Sequence, residues 1–533
     1  MDCTSTRLPY RQTGAFTKIA LDYIDQAPAL KPFFAHPPTL QGLQKAIETR
    51  KQFPTNRETL VQELKKQYEG VETSDRVKKN IESLLSTGTF SITTAHQNNI
   101  FTGPLYFIYK IVHAIKLADH LKTSLPKQNF VPVFYIGSED ADLEELNHAW
   151  LGGEKLVWET QQTGAVGRMK IDKGLVKLIG QMEGQLAVLP GGAAIISRLK
   201  EFYKEGETVQ DATFRFVNSL FAEYGLVVLL PDNTALKQQM IKLFEDDLLH
   251  QTASGIVEDT ASKLSKTGYK IQANPREINL FYLIGDKRER IEKKNDQYSI
   301  LNTKYSFDNV SMIKELKEHP ERFSPNVILR GLYQETILPN IAFIGGGGET
   351  AYWLQLKELF EHYKVPFPAL VLRNSFLIVE KKWQEKIAHL GFTAEDIFLP
   401  EQELVNRLVL RESKSETKLN GSLTELEKLY ETFKKQAVAV DNTLEKHVDA
   451  LKVNTVHRLQ ELEKKMLRAE KRKFADQQRQ IHTIKEQLFP GNGLQERREN
   501  LCYYYAKWGP AFITKLYEHS LSLEQEFVVL KEK

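Results

Sequence analysis

Cysteine is nearly missing from this chain of 533 residues: the two present, Cys3 and Cys502, stand near opposite ends, and neither falls in a CxxC or Cys/His spacing. That excludes a disulfide framework and a structural zinc site of the usual kind. No run approaches the roughly 20 apolar residues that a membrane helix needs. The opening stretch Met1–Tyr10 is polar and charged where a secretion signal would be apolar, so the cytoplasm is the expected compartment. A charge of one sign is lacking too, since 72 Lys and Arg oppose 69 Asp and Glu, a net of +3. No overall field would draw the molecule to nucleic acid or anionic lipid, so any basic partner surface must be local. What is present is core material: 41% hydrophobic residues, with 28 Phe and 20 Tyr. The length gives room for about three globular domains.

Apolar residues recur at helical spacing from Gln41 to Leu64 and from Val77 to Leu85, so the first ninety residues read as a helical layer. Phe90–Thr94 is then a short strand, Thr102-Gly103-Pro104 a loop, and Leu105–Leu121 a helix. Val131–Ile136 is the next strand, and others are expected at Leu226–Leu230, Val327–Leu329, Ile341–Ile344 and Ala369–Leu372. Alternating strands and helices predict an α/β protein with a Rossmann-like, doubly wound parallel sheet. Residues 150–222 and 250–320 read as helical insertions on that sheet, the second carrying a hairpin of Ile278–Leu283 and Gln297–Leu301. The core with its insertions is expected over 1–375 and a C-terminal domain over 376–533. Within the latter, residues 423–488 contain neither Gly nor Pro and carry a heptad stripe through Phe433, Leu444, Leu451, Leu459, Leu462 and Met466, with Thr455 on the seam. That pattern predicts an α-helical coiled coil or a long helical hairpin. Pro490-Gly491-Asn492-Gly493 ends it, and an aromatic tail follows.

Open α/β sheets bind ligands beyond the carboxyl ends of their strands, and three clusters fall there. The first is Thr94, Ala95, His96, Gln97, Asn98 and Asn99, followed by Thr102 and Gly103 at a helix start, where free N–H groups suit an anion. An ordinary capped turn would look the same. The second is Gly137, Ser138, Glu139, Asp140 and Asp142, whose carboxylates can hold an amine, a sugar hydroxyl or magnesium, or simply favour a helix N-terminus. The third, Gly345, Gly346, Gly347, Gly348 and Glu349, precedes the helix of Tyr352 and Trp353. It is neither GxGxxG nor a Walker A loop, and it either lets a phosphate or carboxylate approach the backbone or makes a tight turn. Arg330, Arg373 and Asn374 lie near other expected strand ends, as clamps for a carboxylate or as ordinary ion-pair residues. Lys263-Leu264-Ser265-Lys266-Thr267 is similar to the KMSKS loop of class I aminoacyl-tRNA synthetases, and ten Lys and Arg between Lys452 and Lys485 could contact RNA. A lysine-rich helix and a solvated coiled-coil face account for both more simply.

The string TGPLY over 102–106, Lys110, Val131-Pro132, Glu139-Asp140 with Asp142, His319–Ser324 with Asn326-Val327, Ala342–Ile344, Gly348-Glu349 and Tyr352-Trp353 resemble the bacillithiol-synthesis cysteine ligase family, BshC, in order over nearly the whole chain. The resemblance implies a class I synthetase-like Rossmann enzyme with connecting insertions and a coiled coil that supports a homodimer. The implied reaction joins the carboxyl of L-cysteine to the amine of glucosaminyl-malate. By analogy with mycothiol ligase, ATP with magnesium would activate that carboxyl as an adenylate.

Two departures from the family pattern matter. Ala95-His96-Gln97 stands where the family often has Gly-Gln-Gln, and Ala141 stands where it often has His. A catalytic His at position 141 is thereby excluded, and His96 is either a local substitute or a polar wall. On this reading His96, Glu139, Asp140 and Asp142 are the catalytic candidates. Thr94, Gln97, Thr102, Gly103, Gly137 and Ser138 would line the substrates from one side, and Arg330, Gly345 to Gly348, Glu349, Tyr352, Trp353, Arg373 and Asn374 from the other. Tyr503, Tyr504 and Trp508 would form a second, nucleotide pocket, since stacked aromatics suit an adenine ring. No protein-bound metal is implied, and the partners are small molecules and a second copy of the chain, with neither membrane nor nucleic acid. A class I nucleotidyl- or aminoacyl-transferase acting on RNA and a non-enzymatic coiled-coil assembly protein stand as the alternatives.

Overall fold

The segment Thr89–Gln97 is rich in β-branched and aromatic side chains, and its first seven positions are buried, as in a strand covered on both faces. In the computed structural model, which describes residues 2–413 and 418–533, this strand is the middle of a five-stranded sheet. In chain order the strands are β1 Thr89–Gln97, β2 Asn129–Gly137, β3 Val227–Leu229, β4 Asn340–Gly345 and β5 Ala369–Leu372. Their spatial order is β3-β2-β1-β4-β5, and every pairing is parallel. Pro132 has no N–H to give, and it sits one residue before Val133–Tyr135, the stretch of β2 that β3 pairs with. Helix α1, Tyr106–Ser124, follows β1; α2, Val327–Ile337, precedes β4; and the short α3, Gly347–Trp353, follows it. The Rossmann-like parallel sheet expected from the alternating pattern is therefore present.

Between β2 and β3 the chain inserts a small hairpin, His148–Leu151 with Glu154–Val157, and the helices Lys173–Leu186, Gly192–Phe202 and Val209–Phe221. Between β3 and β4 it inserts helices and a separate five-stranded sheet. The hairpin expected from Ile278–Leu283 and Gln297–Leu301 is a meander, because Lys287–Lys294 forms a strand between them. KRERIEKK reads as a polar loop, and only Ile291 of it is buried, so its pairing comes from its neighbours and not from its own hydrophobicity. Val327–Leu329 is not a strand either. The Asn326 carboxamide accepts from the N–H of Ile328 at 2.8 Å and of Leu329 at 3.4 Å, which starts α2 there. The elements before β1 are helical except for Cys3–Pro9, a strand that pairs antiparallel with Glu526–Glu532 at the other end of the chain.

That pairing explains how the compact units divide. Residues up to Ile378 and the tail Gly493–Lys533 form one unit, and Val379–Asn492 forms the other. In the second unit the heptad stripe folds as a hairpin of Asn420–Val440 and Glu445–Lys471, followed by Ala475–Leu488. No Gly or Pro makes the turn. Asp441 leaves the helix and its carboxylate accepts the Thr443 N–H at 2.8 Å. The arms are joined by the Tyr430 and Thr455 hydroxyls at 2.7 Å and by Lys434–Asp449 and Lys452–Glu431 at 2.9 and 3.0 Å, which accounts for a threonine on the seam. Among the described residues no helix is long and apolar enough to cross a membrane. Both cysteines are buried thiols.

Candidate functional site

The strand order reverses between β1 and β4, and in such sheets the ligand cleft opens beyond the carboxyl ends at that point. Thr94 is committed to the sheet itself, its hydroxyl donating to the Ile344 carbonyl at 2.8 Å. His96 comes next, with its ring edge-on to Tyr106 and Phe107 at centroid distances of 5.2 and 5.3 Å. Lys110, on the apolar face of α1, is 1% exposed. Its ammonium donates to the Ala95 carbonyl at 3.0 Å, pairs with Glu349, and lies 3.5 Å from His96 Nδ1. Burial pulls the Lys110 pKa down and the Glu349 carboxylate opposes it. Burial first, and then the charges of Lys110, Arg373 and Arg330, hold His96 well below the usual histidine range, so its imidazole is neutral. Glu349 has a second task, accepting the Gly346 N–H at 2.8 Å to close the start of α3.

Beyond β1 the backbone is strained. Phe101, Thr102 and Gly103 have φ of 51°, 69° and 58°, values that a β-branched threonine rarely adopts. At Gly103 a Cβ would stand 2.6 Å from Asn99 Cβ, so glycine is required on two counts. The loop presents buried polar atoms that have no hydrogen-bond partner among the described residues: His96 Nε2, Asn98 Oδ1 and Nδ2, Asn99 Oδ1 and Thr102 Oγ1. Tyr109 OH and Ser138 Oγ are in the same condition, which makes seven of the fourteen such atoms among the described residues. Roughly 90% or more of buried polar groups are hydrogen-bonded, so a concentration of exceptions at strand ends marks a place where a ligand supplies the partners. Asn98 and Ser138 share a neighbour in Gly167, where a Cβ would meet Asn98 Nδ2 at 2.6 Å and the Ser138 carbonyl at 2.4 Å.

The two arginines have different fates. Arg330 is not at a strand end, since it lies in the first turn of α2. There its Nη2 donates to the Tyr352 hydroxyl at 2.6 Å and the guanidinium stands 5.8 Å from the Tyr135 ring centre. No carboxylate pairs with Arg330 among the described residues, which leaves its fork for an anion. Arg373 is already clamped by the chain's own carboxylate: its Nη2 pairs with Glu496 at 2.7 Å and its Nη1 donates to the Asn374 carbonyl and the Ser375 hydroxyl, both at 3.0 Å. Asn374 anchors the tail, donating to Ser520 Oγ at 2.6 Å and the Leu521 carbonyl at 2.8 Å.

The acidic cluster disperses in three dimensions. Glu139 is paired with the fully buried Lys237 and accepts from the Ser324 hydroxyl at 3.1 Å. Lys237 also reaches Asp232 at 3.3 Å, and Arg168 holds Asp232 through two bonds of 2.6 and 2.7 Å. Burial pushes the Glu139 carboxyl up and Lys237 opposes it. Burial also pushes Asp232 up, but Arg168 and Lys237 outweigh it and hold that group at about 2. Asp140 accepts from the Gln97 amide at 2.9 Å, tying the ends of β1 and β2 together. Asp142 is exposed and caps the short helix Leu143–Leu146 by accepting the Glu145 N–H at 3.2 Å. Among the described residues no group of three or more His, Cys, Asp or Glu side chains is arranged to hold a metal ion.

Of the four glycines, Gly345 is the crowded one, since a Cβ there would meet the Phe343 ring at 2.9 Å. Nothing lies within 4 Å of the same position at Gly348. Gly137 packs closely on the His96 carbonyl, 3.2 Å from a Cβ placed there. Tyr352 faces Arg330, whereas Trp353 is fully buried among Phe343, Phe360 and Phe367 and belongs to the core. In the tail, Tyr504 stacks on Trp508 and on Phe512, each at 5.3 Å, and the Trp508 indole donates to Glu532 at 3.1 Å. These rings fill one another's faces. Tyr503 packs edge-on to Tyr504 at 5.3 Å, beneath Lys507 at 4.2 Å and against Gly152. Lys263 is on the helix Thr252–Lys266, exposed and paired with Glu358 at 2.7 Å, so the KMSKS-like string is a helical surface and not a loop.

Several contributors escape sequence reasoning. Lys110 could have been found as a lysine inside the apolar run of α1. Asn98 stands in the first cluster but carries no sign that both its amide atoms lack partners. Lys237, Glu496 and Asn500 gave no local signal, because Glu139, Arg373 and the Gly103 carbonyl lie 98, 123 and 397 positions from them.

Together these features define a Rossmann-type α/β protein with unpartnered buried polar atoms at its strand switch point and a separate helical-hairpin unit. Residues 1–374 match the family model for the N-terminal Rossmann-like domain of BshC, bacillithiol biosynthesis, and residues 376–532 match that for its C-terminal coiled-coil domain. The chain belongs to the BshC family, a ligase family of bacillithiol biosynthesis. Relatives provisionally named cysteine ligase BshC come from Flavobacterium johnsoniae and Flavobacterium psychrophilum, each 39% identical over 99% of both chains. Another, from Cytophaga hutchinsonii, is 39% identical over 96% of both. The family resemblance read from the motifs therefore holds over the full length.

Proposed function

We propose that the chain is a cytoplasmic ligase that joins the carboxyl of L-cysteine to the amine of glucosaminyl-malate. The amine nitrogen bonds to the carboxyl carbon, an activated oxygen leaves, and the nitrogen loses a proton, giving an amide. The observation that carries this reading is the set of unpartnered buried polar atoms of His96, Asn98, Asn99, Thr102 and Ser138, at and just beyond the ends of β1 and β2. Asn98, Thr102 and Ser138 offer neutral donors and acceptors suited to sugar hydroxyls, and the Arg330 fork suits a malate carboxylate or a phosphate. The full-length relatives named for cysteine ligation support the same choice.

ATP with magnesium is the proposed energy source, which would turn the cysteine carboxyl into one with a leaving group. Arg330 is the residue here that fits a phosphate. Glu139, Asp140 and Asp142 are occupied by Lys237, by Gln97 and by a helix N-terminus, so magnesium would be carried by the phosphates. The test is mass spectrometry of the purified protein with cysteine and glucosaminyl-malate, with and without ATP and magnesium. Bacillithiol appearing only with ATP, together with AMP or ADP, supports the reading, and folded protein that yields none under any condition overturns it.

The hairpin leaves Phe433, Leu451 and Leu462 about half exposed, at 44%, 45% and 44%, along its heptad stripe. We propose that this stripe pairs two copies into a homodimer. Light scattering should give twice the 61.3 kDa chain mass, and Leu451→Glu should give one.

A further inference from the structure

Lys110 fixes the state of His96. An ammonium carries three N–H donors and no acceptor. Three acceptors face Lys110 Nζ: the Ala95 carbonyl at 3.0 Å, the Glu349 carboxylate, and His96 Nδ1 at 3.5 Å. Because the ammonium can only donate, Nδ1 must offer a lone pair, and the ring proton of a neutral imidazole is then on Nε2. Tyr106 and Phe107 pack edge-on to the ring and limit its swing. Nε2 is buried and has no acceptor among the described residues. A doubly protonated ring would point N–H at the Lys110 ammonium and place a second positive charge beside it, with no carboxylate touching the ring to compensate.

We propose that His96 is held as the Nε2–H tautomer and works as a neutral hydrogen-bond donor to an anionic oxygen of the substrate, with Lys110 as its positioning residue. A fixed lone pair turned toward Lys110 leaves no basic nitrogen facing the cleft, so His96 is not the general base. An N–H has use only for an acceptor, and Arg330 supplies positive charge to the same region, which selects a carboxylate or phosphate oxygen. The tautomer follows from the geometry alone, whereas the assignment of the acceptor to a substrate rests on the ligase reading. A glutamine placed at this position would also offer a terminal N–H.

The experiment is a long-range proton–nitrogen spectrum of the full-length protein labelled with nitrogen-15 in histidine, with His96 assigned by its loss in His96→Gln. A single Nε2–H signal, unchanged from pH 8 to pH 6, is expected. The titratable and charged groups that face the ring are Lys110, Glu349, Tyr106, Arg330 and Arg373. L-malate and inorganic pyrophosphate are then added separately, and whichever shifts the signal identifies the acceptor as carboxylate or phosphate. In parallel, His96→Ala should raise KM for the anionic substrate by about 10- to 100-fold, and His96→Gln should recover about ten-fold of that loss. An Nδ1–H or doubly protonated ring, a signal indifferent to both anions, or a His96→Gln variant no better than alanine overturns the proposal. If the signal behaves as expected while no bacillithiol forms, the donor role stands and the ligase reading falls.

Discussion

Asn500 donates both hydrogens of its side-chain amide to the strained loop after β1, to the Phe101 carbonyl at 2.9 Å and the Gly103 carbonyl at 2.6 Å. Nearby, the Leu105 N–H donates to the Glu499 carbonyl at 2.8 Å. The tail is therefore a brace for the loop that carries Asn98, Asn99 and Thr102, and it sets how those polar atoms face the cleft.

Asn500→Ala leaves two loop carbonyls without their donor. Each buried unsatisfied group costs about 1–3 kcal/mol, and positive φ at Phe101 and Thr102 gives the freed loop reason to relax. A drop in thermal midpoint together with at least about ten-fold lower kcat/KM is expected. Wild-type turnover in the variant would separate the tail from the site.

Arg330→Met removes a cation that has no carboxylate partner among the described residues, so its cost should fall on binding and spare stability. The loss of a charge-assisted pair is worth about 1.5–3 kcal/mol, or roughly 10- to 150-fold in affinity for the anionic substrate. Arg330→Lys should recover only part, because a point charge lacks the fork. Calorimetric titration decides this. Unchanged affinity would assign Arg330 to the hydrogen bond with Tyr352 alone.

Arg373 should behave in the opposite way. Glu496→Gln strands a buried guanidinium, at a cost of about 3–5 kcal/mol of stability. Replacing both residues by Met should recover much of it. Denaturant unfolding of the two single variants and the double variant forms the cycle, and independent, additive losses would dissolve the pair as a structural unit.

Asp247 gives the fold a pH dependence of its own. Burial pushes its carboxyl up to about 7, while the backbone N–H and side chain of Asn279 oppose the shift through bonds of 2.6 and 3.1 Å. An unfolded aspartate titrates near ~3.9. Between these values the folded chain keeps a proton that the unfolded chain has released. The stabilisation is thus full below about pH 4 and is lost as pH rises to about 7, with a slope of up to about 1.4 kcal/mol per pH unit. Urea midpoints at pH 5 and pH 7 should therefore fall more steeply in the wild type than in Asp247→Asn, and parallel slopes would exclude this group as the source.

The elements most legible in the sequence were those whose signal is local. β2, β4 and β5 are largely apolar runs and β1 a buried β-branched one, because both faces of a parallel sheet are covered, and the helical hairpin shows in its heptads. Lys287–Lys294 was missed because its strand state comes from neighbouring strands, and Val327–Leu329 was misread because a buried helix start and a short buried strand share one composition. At the site, the first cluster was found from its position after β1. Which of its members are committed, as Thr94 is to Ile344, and which lack partners, as Asn98 does, could not be read there.

The sequence by itself determined the class of fold, the family and the places along the chain where polar residues meet strand ends, because those depend on periodicity and on order. Tertiary structure alone decided what each charged group does. Arg373 meets Glu496, Glu139 meets Lys237, Lys110 meets both Glu349 and His96, and Arg330 meets the Tyr352 hydroxyl. A charge taken out of water must find a countercharge or a ligand, and that partner is chosen by proximity in space, across hundreds of residues that composition and spacing cannot span.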